Sequence, residues 1–561
     1  PNFTRVVPGD YEIRYQSVDY DADNGTWPAN DSAFLRTVTI SGDTRQIDVD
    51  VPVTEVTVDA TLDGEPISSS NSSDSDRGEV RLVNSENSLE VYWISTWYQG
   101  SANLPQTIRV VPGDYELRYE STDYDKENGH WPINDDALLT TETVSGASDQ
   151  IDADVPVTEV TLDTTLGGDP VGSSNTSNDD RGKLHLYNTA NGERTYWTFV
   201  WYQGQKNVPN FTRVVPGEYE VRYESTDYDK ENGHWPINDR ALLTTATVSG
   251  DTYDIDTDVP VTAVNIDATL GGQPVSSSNT SDGDRGRIAL YNAENARQTY
   301  WTQVWHEGSP NLPNFTRVVP GDYEARYENT DYDKENGDWP IDDSALVATT
   351  GISGASHDLD VDVPVTEVTI DATLAGEAVS SANSSSGDRG RIQLYNTENG
   401  ARTYWTTVWF EGEANVPNFT RAVPGEYELR YESTDYDKES GHWPINDSTP
   451  LDDGTVSGAT ESVTVDVPVV DFEIDATLAG QAVSSANSSD TDRGQVSIYD
   501  PLIGDETYWT YVWFEGSPNV PNFTRVIPRR YDVRYEGTDY DKESGHWPAN
   551  DDKLLGCIEI Q

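Results

Sequence analysis

Six acidic loops carry the residues whose types and spacing are best suited to chemistry. The first covers residues 19–25 and reads Asp-Tyr-Asp-Ala-Asp-Asn-Gly, and the second covers residues 123–129 and reads Asp-Tyr-Asp-Lys-Glu-Asn-Gly. Alternating carboxylates followed by a turn glycine suit Ca²⁺, because this hard cation takes about six to eight oxygen ligands. The predicted calcium ligands are Asp19, Asp21, Asp23, Asp123, Asp125, Glu127, Asp227, Asp229, Glu231, Asp331, Asp333, Glu335, Asp435, Asp437, Glu439, Asp539, Asp541 and Glu543.

A solvated acidic turn is the alternative interpretation of these loops. The register has one residue more than the EF-hand pattern, and no glutamate stands at its closing position. In this alternative, Trp131 and Pro132 close the turn by packing, whereas Asn134 and Asp135 would complete the shell of a bound ion. Mg²⁺ suits the loops less well, because it demands a strict octahedral geometry.

Five tryptophan pairs form a second repeated feature. The two members of a pair are four residues apart, so in a strand both would face the same side. The residue midway between them ranges from Ser95 to Phe199 and Gln303, which favours a partly exposed face. Such a face either packs in a sheet or an interface, or stacks on the sugar rings of a glycan. The tryptophans are Trp93, Trp97, Trp197, Trp201, Trp301, Trp305, Trp405, Trp409, Trp509 and Trp513.

Five asparagines begin the sequence Asn-(Ser/Thr)-Ser at equivalent positions. In a secreted protein this pattern can accept an N-linked glycan. Because the same loop is copied five times, and because Asn-Ser-Ser is also ordinary loop composition, a simple polar turn is the alternative. The candidate glycosylation sites are Asn71, Asn175, Asn279, Asn383 and Asn487.

The sequence gives no support to catalysis. It contains no Ser-His-Asp arrangement, no His/Cys metal cluster and no phosphate-binding loop. A histidine recurs beside the acidic loops, as at His130 and His234, but Thr26 and Asp338 replace it in two copies. We therefore expect a protein that is not an enzyme.

The charge of the chain excludes two classes of partner. Acidic residues outnumber Lys and Arg by 99 to 36, which gives a net charge of −63. Such a surface repels nucleic acids and anionic membranes. No apolar run reaches the ~20 residues of a membrane span, so we expect no membrane insertion. With Cys557 as its single cysteine the chain forms no internal disulfide, and this residue is either a small buried apolar group or the partner of a cysteine elsewhere.

A repeat of 104 residues organises the whole sequence. The proline of a Val-Pro-Gly-Asp-Tyr turn returns from Pro8 to Pro112 and then at the same step to Pro528, and Val-Pro-Val returns from Val51 to Val467. Val56, Val58 and Ala60 alternate with polar residues, which is typical of a half-buried strand. The sequence predicts an all-β chain, a tandem array of antiparallel β-sandwich domains of Ig-like or transthyretin-like type. The predicted units are 1–50 (the C-terminal half of one unit), 51–154, 155–258, 259–362, 363–466 and a terminal unit 467–561.

Short joints predict an extended molecule. The units are linked by Asp-Val-Pro-Val alone, and proline stiffens such a linker. With a rise of about 35 Å per unit, from about ten strand residues, the chain would form a rod of roughly 190 Å. Residues 1–50 would need partner strands from upstream sequence or from another chain. Arg529 replaces the turn glycine, which we interpret as a sign of an atypical terminal unit.

Three motifs in fixed order resemble a known family. They are Asp-Ala-Thr-Leu-Gly-Gly-Gln-Pro-Val at residues 267–275, Asp-Arg-Gly at 284–286 and Val-Val-Pro-Gly-Asp-Tyr at 318–323. Together they resemble the CnaB-like and carboxypeptidase-regulatory-like (transthyretin-like) β-sandwiches of bacterial surface proteins. The resemblance implies an extracellular, cell-surface shaft, fibre or filament that associates with itself. The alternative is a repeat adhesin that binds glycans through its aromatic faces.

Overall fold

The structure is a computed structural model in which strands and turns make up the described part of the chain. It describes residues 5–18, 26–42, 46–72, 78–96, 106–122, 129–176, 182–200, 210–226, 233–280, 286–304, 314–330, 337–385, 390–408, 418–434, 441–488, 494–512, 522–538 and 546–561. The predicted all-β fold is confirmed, since every regular element in these ranges is a strand.

The described residues contain forty-two strands, and the first four complete units have the same order of eight strands each. Residues 1–50 contain β1 (Gly9–Tyr15) and β2 (Ala33–Ile40). The next unit contains β3 (Thr54–Leu62), β4 (Glu65–Pro66), β5 (Gly78–Asn84), β6 (Glu90–Ser95), β7 (Gln106–Val110), β8 (Gly113–Ser121), β9 (Ala137–Val144) and β10 (Ser148–Val155). It is followed by β11 (Thr158–Leu166), β12 (Asp169–Pro170), β13 (Gly182–Asn188), β14 (Arg194–Val200), β15 (Asn210–Val214), β16 (Gly217–Ser225), β17 (Ala241–Val248) and β18 (Thr252–Val259).

The third and fourth units keep this order, whereas the last unit divides the first strand in two and, within the described residues, has no counterpart of the eighth. The third complete unit contains β19 (Thr262–Leu270), β20 (Gln273–Pro274), β21 (Gly286–Asn292), β22 (Arg297–Val304), β23 (Asn314–Val318), β24 (Gly321–Asn329), β25 (Ala345–Ile352) and β26 (Ser356–Val363). The fourth contains β27 (Thr366–Leu374), β28 (Glu377–Ala378), β29 (Gly390–Asn396), β30 (Arg402–Val408), β31 (Asn418–Ala422), β32 (Gly425–Ser433), β33 (Thr449–Val456) and β34 (Thr460–Val467). The last contains β35 (Val470–Ile474), β36 (Thr477–Leu478), β37 (Gln481–Ala482), β38 (Gly494–Asp500), β39 (Asp505–Val512), β40 (Asn522–Val526), β41 (Arg530–Gly537) and β42 (Lys553–Glu559).

Each complete unit packs two sheets face to face. In the unit that begins with β11, one sheet has the order β14-β13-β16-β17 and is antiparallel throughout. In the other sheet, β11 lies between β15, which is antiparallel to it, and β18, which is parallel to it. The parallel pair is a feature that the prediction of antiparallel sandwiches did not include. The residue at which one unit ends stays a prediction, although β10 and β18 run to Val155 and Val259.

The core of each unit lies between the two sheets. Along β11 the buried residues Val160 and Leu162 alternate with more exposed neighbours, as expected for a strand with one face against the core. The tyrosines of β16, Tyr219 and Tyr223, are fully buried and are among its largest side chains. Burial of side chains of this size dominates the stability of a small sandwich.

The prediction of an extended rod is wrong for this structure. The amide of Val7 donates to Asn550 Oδ1 at 2.7 Å, and the amide of Ala549 donates to the carbonyl of Arg5 at 2.9 Å. Lys553 Nζ also lies 5.3 Å from the centre of the Tyr11 ring. Because each joint repeats the same contacts, a turn imposed by one joint accumulates in the same direction. The array therefore closes on itself, and residues 5–11 are supported by the last unit.

Candidate functional site

The joint between consecutive units is the most elaborate repeated arrangement in the structure. It is built from the loop that follows the acidic segment, with the sequence Trp-Pro-Ile-Asn in three of the six copies, and from the Val-Val-Pro-Gly turn of the next unit. We describe it for the joint between β16–β17 and β23–β24, where all the participating side chains are described.

Within its own unit the loop rests on a tyrosine. The ring of Tyr223 is stacked on Trp235, with centroids 5.7 Å apart and planes 15° apart. The Tyr223 hydroxyl donates to the carbonyl of Pro236 at 2.8 Å. Trp235 is 3 % exposed, so the loop is anchored by burial as well as by the hydrogen bond.

Two apolar residues interlock across the joint. Ile237 leaves its own unit and packs in the core of the next, beside Val318 and Tyr323. In the opposite direction Val319 packs in the core of the unit to which Trp235 belongs. Each core is therefore completed by a side chain from its neighbour, and the burial of each such side chain is worth about 1.5–3 kcal/mol.

A buried hydrogen-bonded latch fixes the register of the joint. Asn238 Nδ2 donates to Tyr323 Oη at 2.7 Å, and Asn238 Oδ1 accepts the Val319 amide at 2.7 Å. Tyr323 in turn donates to the carbonyl of Val319 at 2.5 Å. Asn238 is completely buried, and Tyr323 is 1 % exposed. Burial raises the pKa of Tyr323 to about 12, against a smaller lowering by the hydrogen bond from Asn238.

An arginine and a further asparagine surround this latch. Arg317 donates to the carbonyl of Gly233 in the preceding unit, and its guanidinium lies 4.9 Å from the centre of the Phe315 ring. Asn295 Nδ2 donates to the carbonyls of Asp239 and Arg240 at 3.1 and 3.0 Å. The joint is thus held by backbone and side-chain contacts around a buried centre.

The latch recurs throughout the chain. Its asparagine-to-tyrosine contacts are Asn30–Tyr115, Asn134–Tyr219, Asn238–Tyr323, Asn446–Tyr531 and, where the array closes, Asn550–Tyr11. At the remaining joint Asp342 replaces the asparagine and contacts Tyr427. Burial likewise raises the pKa of Tyr115, Tyr219 and Tyr531 to about 12.

The predicted calcium ligands lie outside the described residues. This holds for all six loops, from Asp19 to Glu543, so their role stays a prediction. Asn134, however, is described, and it is fully buried with Tyr219 and Val215 as its partners. The idea that Asn134 completes a metal shell is therefore wrong. Among the described residues, no group of three or more His, Cys, Asp or Glu is placed to hold a metal ion.

The structure describes five of the ten tryptophans of the predicted aromatic face. Trp93, Trp301, Trp405 and Trp509 are 37–47 % exposed, and Trp197 is half-buried. Arg287 lies 4.7 Å from the centre of the Trp301 ring, Arg391 lies 4.4 Å from that of Trp405, and Lys183 lies 4.5 Å from that of Trp197. A cation therefore covers one face of these rings. The second members, Trp97, Trp201, Trp305, Trp409 and Trp513, lie outside the described residues.

The candidate glycosylation asparagines hold a loop together. Asn71 Oδ1 accepts the Ser68 amide at 2.7 Å, and Asn71 Nδ2 donates to the carbonyl of Pro66 at 3.1 Å. The other four make the same two bonds, and all five are half-buried. Both ends of each amide thus serve the turn itself. Whether a glycan is attached stays a prediction.

Cys557 is exposed rather than buried. Its Sγ donates to Asp532 Oδ1 at 3.1 Å and accepts from Arg530 Nη2 at 3.2 Å. The interpretation of Cys557 as a small buried apolar residue is therefore wrong.

Sequence reasoning missed the joint because its partners are far apart in the chain. Asn238 and Tyr323 are 85 residues apart, and nothing in a single sequence pairs them. One signal was present: an isoleucine between a proline and a polar residue recurs next to the acidic loops at Ile133, Ile237, Ile341 and Ile445. An apolar residue kept in such a loop indicates a burial site outside its own unit.

Similarity of the chain to known proteins is found among solved structures alone. No protein-family profile matches it, and no curated protein does. Among solved structures, the Bacillus anthracis TIE protein is 12 % identical, and the match covers 76 % of this chain and 75 % of that protein, with a TM-score of 0.15. A streptococcal ancillary pilin is 12 % identical over 55 % of this chain and 99 % of its own, with a TM-score of 0.18. The pilus adhesin SpaC of Lactobacillus rhamnosus GG is 10 % identical over 72 % of this chain and 55 % of its own, with a TM-score of 0.16. Within the described residues there is no helix with the length and apolar character that crossing a membrane requires.

Proposed function

We propose that the chain is a non-catalytic structural protein of the cell exterior, in which interlocked joints hold β-sandwich units in a fixed arrangement. The observation that carries this proposal is the buried latch, which connects each unit to the next with the same contacts. A flexible string of domains would not need a buried asparagine, a buried tyrosine and two exchanged apolar side chains at every joint.

The energetics of the joint support rigidity. Each joint buries one apolar residue from either side and satisfies both ends of an asparagine amide. A hydrogen bond of this kind contributes about 0.5–1.5 kcal/mol, and leaving a buried partner unsatisfied costs about 1–3 kcal/mol. Opening a joint therefore costs several favourable contacts at once, so the units move as one body.

Repulsion between units makes such joints necessary. The chain has a net charge of −63, and like charges on neighbouring units repel each other within a Debye length of about 10 Å at 0.1 M salt. A surface of this kind stays soluble and does not bind nucleic acids. Strong joints and a strongly charged surface together suit a protein that keeps its shape outside the cell.

Small-angle scattering and electron microscopy of the full chain test this proposal. We expect one compact particle of uniform shape for the natural sequence. Ile237→Ala combined with Asn238→Ala should broaden the distribution of shapes, because it removes the apolar plug and the latch of one joint. Thr244→Ala, an exposed change on β17 of the same unit, is the matched control. A natural chain that is as variable in shape as the joint variant would contradict the proposal.

Association of several copies into a fibre or filament is part of the same proposal. The images provide its test, since regular filaments with a short axial repeat would support it. Particles that stay single at every concentration and salt would restrict the protein to a monomeric scaffold.

A repeat adhesin that binds glycans is the second candidate. It is favoured by the exposure of Trp301 and Trp405, which present one aromatic ring per unit on equivalent strands. Repetition would give such a surface avidity for a polymeric ligand. The test is a glycan panel read by tryptophan fluorescence, with Trp405→Ala as the variant. No response to any glycan, or the same response in the variant, would remove this candidate.

A further inference from the structure

One joint differs from the others at its buried centre. Asp342 stands where the five other joints carry an asparagine, and it is completely buried. Ile341 still enters the core of the next unit, and the Asn329 amide donates to the Asp342 carbonyl at 2.8 Å, as the Ser225 amide does to the Asn238 carbonyl. At the buried centre the difference is therefore a carboxyl oxygen in place of an amide nitrogen.

The contacts of Asp342 copy those of the asparagines. Oδ2 accepts the Val423 amide at 2.8 Å, as the asparagine oxygen does elsewhere. Oδ1 lies 2.6 Å from Tyr427 Oη, in the place of the asparagine nitrogen. Tyr427 Oη also lies 2.7 Å from the carbonyl oxygen of Val423.

Counting hydrogens shows what this geometry requires. Tyr427 has one hydroxyl hydrogen, and both of its short contacts are to oxygens that accept when Asp342 is ionised. One of the two contacts would then lack a hydrogen in a fully buried place. A proton on Asp342 Oδ1 removes the conflict, because the carboxyl group then donates to Tyr427 and Tyr427 donates to Val423. This is the hydrogen-bond pattern of the five asparagine joints.

The surroundings also favour the neutral acid. Among the described residues, Asp343 from the same loop raises the pKa of Asp342, Glu398 from the β29–β30 turn raises that of Tyr427, and both groups are negative. Burial raises the pKa of Asp342 to about 6, Asp343 adds to the rise, and the hydrogen bonds from Tyr427 and Val423 lower it by less. The pKa of Tyr427 is raised well above its ordinary value, first by burial and then by Asp342, so the tyrosine does not supply a charge.

We propose that the closed joint holds a proton on Asp342 in mild acid and releases it toward neutral pH, so that this connection tightens in acid and loosens toward neutral pH. In an open joint the carboxyl group has its ordinary pKa of 3.8, whereas in the closed joint the pKa is about 6. The closed joint therefore has its full stability below pH 3.8, loses stability as the pH rises to about 6, and keeps that reduced level above it. The five asparagine joints carry no such dependence in this range.

Hydrogen exchange of the Val423 amide in the full chain tests the proposal. Asp342→Asn replaces the carboxyl group by an amide, whose nitrogen donates to Tyr427 at every pH in this range, as in the other joints. We expect this variant to raise the protection of the Val423 amide by about a hundredfold at pH 7, and by less than about tenfold at pH 4.5, where the natural carboxyl group is protonated. Both values compare variant and natural chain at the same pH, so the effect of pH on exchange itself cancels.

The converse variant provides the control. Asn238→Asp should make the neighbouring joint proton-dependent, and the Val319 amide should lose about a hundredfold of its protection at pH 7 and regain most of it at pH 4.5. A protonated-carboxyl band in the infrared spectrum at pH 5, lost in Asp342→Asn, would support the proposal independently. An Asp342→Asn effect of the same size at both pH values, or the absence of that band, would overturn it.

Discussion

Arg529 donates a hydrogen bond to Asp500, and both residues differ from their equivalents in the other units. Arg529 stands where Gly113, Gly217, Gly321 and Gly425 begin the corresponding strand, and Asp500 stands where Asn84, Asn188, Asn292 and Asn396 end theirs. Asp500 is completely buried, and its Oδ1 still accepts the Leu502 amide at 3.0 Å. The equivalent asparagines likewise accept the amide of the residue two positions later. The two substitutions therefore form a matched pair, and Arg529 Nη2 also reaches the carbonyl of Pro450 in the preceding unit at 3.2 Å.

Asp500→Asn should destabilise the last unit by about 2 kcal/mol, because it leaves the Arg529 guanidinium without its carboxylate. Hydrogen exchange of the Tyr531 amide measures this local stability. Adding Arg529→Gly should recover most of the loss, since the double variant restores the residue types of the other units. Equal and additive losses in the two single variants would show that the pair is not coupled.

Gly286→Ala should lower the stability of its unit by about 1–3 kcal/mol, as overpacking of a core does. A Cβ at this position would lie 2.6 Å from Tyr327 Cε2, and this ring is fixed by its stacking on Trp339 at 5.6 Å. Chemical unfolding of the two variants gives the comparison. Gly321→Ala in the same unit is the control, because its Cβ would lie 3.8 Å from the nearest atom, the Tyr323 Cε2. Equal effects of the two substitutions would contradict this explanation.

The joints should weaken in alkali between pH 10 and pH 12. Burial raises the pKa of Tyr115, Tyr219, Tyr323 and Tyr531 from 10.0 to about 12, so the closed joints hold these protons longer than open ones do. Stability is complete below pH 10 and falls as the pH rises to about 12, by about 2–3 kcal/mol per joint. Ultraviolet titration should reveal a late class of tyrosines together with loss of the compact shape. Tyr323→Phe should remove one member of that class, and a single titration step near pH 10 would contradict the prediction.

Calcium should stabilise the chain if the acidic loops bind it. We expect the thermal unfolding midpoint to rise with Ca²⁺, to fall with a chelator and to respond less to Mg²⁺, because of the strict geometry that Mg²⁺ demands. Asp227→Asn with Asp229→Asn should reduce the calcium bound per chain, as measured by titration calorimetry. Equal effects of Ca²⁺ and Mg²⁺, unchanged in the variant, would point to general screening of charge instead.

Salt should control the closure of the array. Tyr11 and Asn550 are only half-buried, unlike the fully buried latches inside the chain, so the closing joint resists repulsion least. We expect the radius of gyration to grow at low ionic strength, where the screening length reaches about 30 Å at 0.01 M, and to shrink again in salt. Asn550→Ala should shift the opening to higher salt, whereas Thr244→Ala should not. A radius that stays constant over this range would contradict the prediction.

Local patterns predicted the fold, and distant contacts limited the prediction of the site. Val56, Val58 and Ala60 alternate with polar residues, and this alternation is enough to predict their strand, since one face of such a strand is buried. The rod was wrong because the linker gives no sign of the turn at each joint. In the Asp-Arg-Gly motif, the sequence offered no reason for Gly286, because the ring that leaves no room for a side chain there belongs to Tyr327, on another strand.

The exchange of Ile237 and Val319 between neighbouring cores has a consequence for how the molecule is made. A unit that emerges first cannot complete its core until the turn that carries the valine of the next unit has also emerged. Until then, the core of each newly folded unit lacks one side chain. During synthesis or export from one end, the units therefore fold in order, and each new unit completes the core of the unit before it. Since sequential emergence makes the correct neighbour the first one available, near-identical repeats can find their proper partners without distinct recognition sequences.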